Sequence, residues 1–113
     1  MSELSCLTAS QLAQMIRDRT ISSQEVVKTY LAQIHKHNAT LNAICTLDAE
    51  RALARAKEAD DATASGESWG VLHGVPVTIK DIFETADLRT TAGYIPLKDY
   101  VPSQDATALA GVR

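Results

Sequence analysis

Aromatic side chains are scarce in this 113-residue chain, which holds one Trp, one Phe and three Tyr. Large rings cannot fill its interior, so a core has to be built from Ala, Leu, Val and Ile. Cysteine is nearly absent as well. Cys6 and Cys45 stand alone without paired spacing, which argues against a disulfide scaffold or a zinc site. Positive charge is in deficit: 11 Lys and Arg against 14 Asp and Glu give a net charge of −3, with no basic stripe. Nucleic acid and anionic membrane surfaces are therefore not expected as partners. No apolar run approaches the ~18 residues of a membrane span. Residues 1–10 lack a basic segment leading into an apolar one, so no signal peptide is read. What is left is the profile of a cytoplasmic protein with the length of one small domain.

Helical signals fill the first half of the chain. Thr8-Ala9-Ser10-Gln11 fits a capping box, and Leu12, Met15 and Ile16 then share one face, predicting a helix over about 9–19. Ser22-Ser23-Gln24-Glu25 is a second box. Val26, Val27, Tyr30, Leu31 and Ile34 come after it at helical spacing, predicting a helix over about 24–38. Residues 38–42 read as a turn by composition, and 43–47 as a short β-favourable run. Asp48 is placed to cap a helix over about 49–61, whose small inner face of Ala49, Ala52, Leu53, Ala56 and Ala59 suits close packing. His35 and His37 lie two apart, point to roughly opposite sides of a helix and cannot share a metal. Residues 63–70 read as a surface loop, with Trp69 covering the entry to a strand-like stretch.

That stretch is Leu72-His73-Gly74-Val75-Pro76-Val77-Thr78-Ile79-Lys80-Asp81. Val75, Val77 and Ile79 alternate with Pro76, Thr78 and Lys80, the period of a strand over about 75–80, with Gly74 and Pro76 at its start. Its end delivers Lys80. A lysine there is either a solvated surface cation or a desolvated amine able to take a proton. By the same alternation Asp81 falls on the opposite face. His73 reads as a strand-start residue with local hydrogen bonds, not as a base. Further on come Thr90-Thr91-Ala92-Gly93 and Asp105-Ala106, the aspartate placed to cap a last helix with Ala106, Leu109 and Val112 inward.

The Leu-His-Gly-Val-Pro-Val-Thr-Ile-Lys-Asp run, the Thr-Thr-Ala-Gly run and Asp105-Ala106, in that order, resemble the first block of the amidase signature family, serine hydrolases that cleave amide bonds. The resemblance implies an α/β fold, a mixed β-sheet core flanked by helices, of which residues 1–113 are the N-terminal part. It implies that Lys80 is the lysine of a Ser–cis-Ser–Lys triad. Both serines of that triad belong to a Gly/Ser-rich stretch that nothing in these 113 residues matches, so the sequence reads as truncated before it. On this reading Lys80 is the one catalytic residue present and the chain is inactive alone. No metal or organic cofactor is implied, and the partner is a small-molecule amide. Exposed strand edges would favour self-association. Two other readings stay open: the amidase subunit of a tRNA-dependent amidotransferase, and a non-catalytic interaction module formed by the helices.

Overall fold

The computed structural model describes residues 3–112. A short 3₁₀ turn, Glu3–Cys6, precedes three helices, α1 (Ala9–Arg17), α2 (Ser23–Leu41) and α3 (Ala49–Ala64). A second 3₁₀ turn, Ile95–Leu97, and a one-turn α4 (Thr107–Ala110) complete the order of elements. Contacts divide the chain into two compact units, Met1–Ile44 with Asp48–Val77, and Cys45–Leu47 with Thr78–Arg113.

Local chemistry sets the helix starts of the first unit. Thr8 and Gln11 exchange side chain for backbone at the head of α1, and Ser22 and Glu25 do the same for α2. Each closes two amide donors that a helix start would leave unsatisfied. Glu25 is held below its ordinary value of 4.5, first by the Ser22 amide and then by its hydroxyl. Asp48 caps α3 through the Arg51 amide. The helix α2 runs three residues past the expected stop, because Asn38 does not turn the chain. It stays helical, and its side chain receives the amides of Ala43 and Ile44 and donates to Ile44 O. The left-handed residue Asn42 (φ 49°) then ends the helix.

The core of this unit is aliphatic, as the scarcity of rings demands. Leu12, Ile16, Ile21 and Val26 form its centre, with Met15, Tyr30 and Val75 packed at its margin. The helices α2 and α3 lie against each other, and α3 turns Ala56, Ala59 and Ala62 inward. Arg19, itself left-handed at φ 59°, donates to Thr63 O at 2.8 Å, placing a cation at the carbonyl end of α3.

The expected α/β fold with a mixed sheet is not what the structure contains. Among the described residues there is no strand, only an isolated bridge between Thr85 and Leu88. Residues 75–80 carry the alternation of a strand, and 43–47 its propensity, but a strand exists only when a neighbour completes its hydrogen bonds, and neither stretch has one here. Self-association through strand edges falls with the strands. The second unit is instead a scaffold of turns crossed by hydrogen bonds, including Asp87 N to Pro102 O and Thr90 N to Tyr100 O, each 2.9 Å. Asp105 does not cap α4, which starts after Ala106. Its carboxylate accepts the Ala86 amide at 2.8 Å, and the Ala106 amide donates to Glu84 O at 2.8 Å. Of the three residues expected inward on α4, Leu109 is buried while Val112 is exposed.

Candidate functional site

The motif divides between the units, 72–77 in the first and 78–81 in the second. In the first, His73 and Gly74 are fixed by three separate segments. His73 Nδ1 accepts the Trp69 amide at 3.0 Å. An amide can only donate, so the ring proton sits on Nε2, which faces Ala59 O and Thr63 Oγ1, both at 2.9 Å. Thr63 donates its own hydroxyl to Ala59 O at 2.9 Å. Both ring nitrogens are thus committed to structure, over separations of up to 14 residues, which is further than the local bonding expected of it. The Trp69 ring meets His73 edge-on at 4.8 Å and carries the Arg55 guanidinium at 3.9 Å on its face.

Gly74 is in the left-handed region at φ 77°, against Ile16 and Ser23. Ser23, 1% exposed, donates its hydroxyl to Gly74 O at 2.6 Å and its amide to Asp60 Oδ1 at 2.6 Å. Asp60 Oδ2 takes the Gln24 amide as well, so one carboxylate of α3 serves the first turn of α2. A hollow of about 310 Å³ beside His73 is rimmed by Arg17, Arg19 and Glu67, charges of both signs.

In the second unit, Lys80 is exposed and stands on the wall of a hollow of about 200 Å³ with Thr78, Ile79, Phe83, Leu109 and Val112. Its surroundings are mostly aliphatic and aromatic carbon. The carbonyl of Lys80 accepts the Phe83 amide at 3.0 Å, closing a tight turn directly after it. Among the described residues, Lys80 forms no ion pair within 4.0 Å.

Asp81 turns from Lys80 to the Thr-Thr-Ala-Gly run. Its carboxylate accepts the Thr91 hydroxyl and, at 3.0 Å, the Thr91 amide, while its carbonyl accepts the Ala92 amide at 2.7 Å. The Thr91 hydroxyl, most of all, holds the Asp81 carboxyl below its ordinary 3.8, aided by the Thr91 amide, the Cys45 thiol and Arg89, against the opposing effect of burial. Thr90 and Thr91 are both buried. Alternation placed Asp81 away from Lys80 but said nothing of where it would go. The signal available was a pair of threonines ten residues on, polar enough to need a buried acceptor.

Among the described residues, no cluster of three or more His, Cys, Asp or Glu is placed to hold a metal ion. No helix of these residues is long and apolar enough to cross a membrane.

Comparison with known proteins bears on the same residues. A glutamyl-tRNA(Gln) amidotransferase subunit of Mycobacteroides abscessus is 41% identical over 113 residues, covering 100% of this chain and 23% of that protein. The subunit of the same name from Cupriavidus pinatubonensis is 46% identical over 99 residues, 88% of this chain and 19% of its own length. A Mycobacterium bovis protein named "Putative amidase AmiD" is 38% identical over 110 residues, 97% of this chain and 23% of its own. The chain therefore spans less than a quarter of the length of these curated relatives. The model of the family described as Amidase matches residues 25–113, a span that takes in all but the first two residues of α2, α3, the whole Leu72–Asp81 motif and the threonines clamped to it, and the chain belongs to that family.

Proposed function

We propose that this chain carries the general base of an amidase acting on carbon–nitrogen amide bonds, and that the base is Lys80. The observation that carries the reading is the setting of Lys80 inside the family-matched region: the wall of an apolar hollow, with no carboxylate paired to it among the described residues. Amide hydrolysis by a serine enzyme needs a nucleophile, a base to take its proton and donors for the tetrahedral oxyanion. A lysine serves as base only as the neutral amine. In a Ser–cis-Ser–Lys mechanism the amine draws the proton of the nucleophilic serine through the bridging serine. We assign those two serines to sequence outside the 113 residues, and the substrate to small-molecule amides. No cofactor enters this scheme.

The test is turnover of simple amides by a form of the protein as long as its relatives. Lys80→Ala is expected to reduce turnover by ~10²–10⁴, the usual loss on removing a general base, with KM little changed. Lys80→Arg should fail equally, since a guanidinium is not deprotonated. Near-normal turnover in either variant removes Lys80 from the mechanism.

A second reading is favoured by the names of two of the relatives, each given as a subunit of glutamyl-tRNA(Gln) amidotransferase. Here the same base acts within an amidotransferase, and the ammonia released from an amide is passed on instead of lost. Co-purification with a second protein of such a complex, and ammonia transfer dependent on it, distinguish this reading from a free-standing amidase.

A further inference from the structure

We infer that Asp81 is a positioning residue for Lys80, acting through a clamp on Thr91 and Ala92. This rests on the reading of Lys80 as the base. A base is useful only where its nitrogen is held in reach of its proton donor, and a lysine has four rotatable bonds and, here, an exposed side chain. Nothing in the regular secondary structure fixes the backbone that bears it, because residues 75–80 belong to no helix or strand. What fixes it lies one residue on.

Asp81 is bonded at both ends. Its side chain receives the Thr91 amide and hydroxyl, and its main-chain carbonyl receives the Ala92 amide. Three bonds to two consecutive residues leave the Asp81 peptide little freedom to rotate, and that peptide is joined to Lys80. The tight turn from Lys80 O to the Phe83 amide restrains the Lys80–Asp81 peptide on the same, C-terminal side of the lysine. The far end of the clamp is also tied down. Thr91 Oγ1 receives the Gly93 amide at 3.3 Å, and Thr91 O receives the Tyr94 amide at 2.9 Å. Ala92 and Gly93 both take left-handed backbone, at φ 53° and 64°, to make that approach. A non-glycine residue adopts such a conformation only where its surroundings hold it there. The end of the motif, residues 78–81, and the Thr-Thr-Ala-Gly run are thus one mechanical unit, with Lys80 at its edge.

The experiment uses the long form of the protein and compares Asp81→Ala, Thr91→Val, Thr91→Ser and Lys80→Ala. Asp81→Ala should reduce kcat on the order of 10²-fold, the effect of an ångström-scale misplacement, with KM nearly unchanged. Thr91→Val should lose turnover in the same sense, Thr91→Ser should recover it, and the Asp81→Ala/Thr91→Val double variant should be no worse than the poorer single one. In the 113-residue chain, the Thr91 and Ala92 amides should exchange slowly with solvent, and lose that protection in Asp81→Ala. The exchange measurement and the Thr91→Val and Thr91→Ser pair decide the matter should the long Asp81→Ala form not fold. Wild-type kcat in Asp81→Ala beside an inactive Lys80→Ala overturns this proposal alone, as does a Thr91→Ser variant no better than Thr91→Val. Full turnover in Lys80→Ala overturns the assignment of the base, and this proposal with it.

Discussion

Replacing Gly74 by alanine separates two penalties that usually arrive together. The glycine sits at φ 77°, where an L side chain costs roughly 1–2 kcal/mol. A Cβ built there would also lie 3.2 Å from both Ile16 Cγ2 and Ser23 Cβ. That is inside the ~3.5–4.0 Å at which carbon atoms attract. Neither neighbour can easily yield. Ile16 and Ser23 are each 1% exposed, and Ser23 is bonded to the Gly74 carbonyl itself. Overpacking of this kind costs typically about 1–3 kcal/mol, so Gly74→Ala should destabilise the chain by about 2–5 kcal/mol in all. The control is built into the same molecule. Gly66 has nearly the same backbone, φ 83°, with nothing within 4 Å of a Cβ, so Gly66→Ala bears the conformational penalty alone. Urea unfolding followed by helical circular dichroism should then place Gly74→Ala below Gly66→Ala by about 1 M in midpoint, given slopes of about 1–3 kcal/mol per molar. Equal midpoints would refute the packing described around the motif turn.

Other outcomes rest on named bonds. Asp60→Ala removes the acceptor of the Ser23 and Gln24 amides and should cost about 2 kcal/mol, lowering Tm by roughly 10 °C in a thermal scan, with Asp60→Asn recovering part of the loss. Because the Asp81 carboxyl is held below its ordinary 3.8 in the folded chain, its contribution to stability is present above that value and disappears as pH falls through the folded value below it. Wild type should therefore lose more stability than Asp81→Asn between about pH 5 and pH 3 in urea titrations, and parallel curves would show that the clamp carries no such linkage.

How far the sequence could be read depended on the reach of each interaction. The boxes at Thr8 and Ser22 and the cap at Asp48 close within three residues, and all three helix starts were legible from composition and spacing. Asn38 misled because its side chain can serve either a turn or the end of a helix, and which it serves depends on Ala43 and Ile44 beyond it. Residues 75–80 misled more deeply. Alternation reports which way side chains would point if the stretch were paired, and pairing depends on residues elsewhere. Asp105 likewise had an attractive local target in α4 and took a distant one in Ala86. Lys80 was singled out by its motif. Its apolar hollow draws on Leu109 and Val112, some thirty residues away, which no window around the motif contains.

The bond from Ser23 to the carbonyl of Gly74 joins residues 51 apart, and the Asp60 bond to the Ser23 amide joins residues 37 apart. Both converge on the first turn of α2. A contact that closes so long a loop is rewarded only after the intervening chain has been drawn in, which places it late in the order of assembly. The seat for Gly74 therefore does not exist until α2 and α3 have met, and the His73–Gly74 turn finds its place only after they have. Reversed, the same logic makes it the first to be released: a chain whose two helices loosen gives up the His73–Gly74 turn before it gives up its helical content.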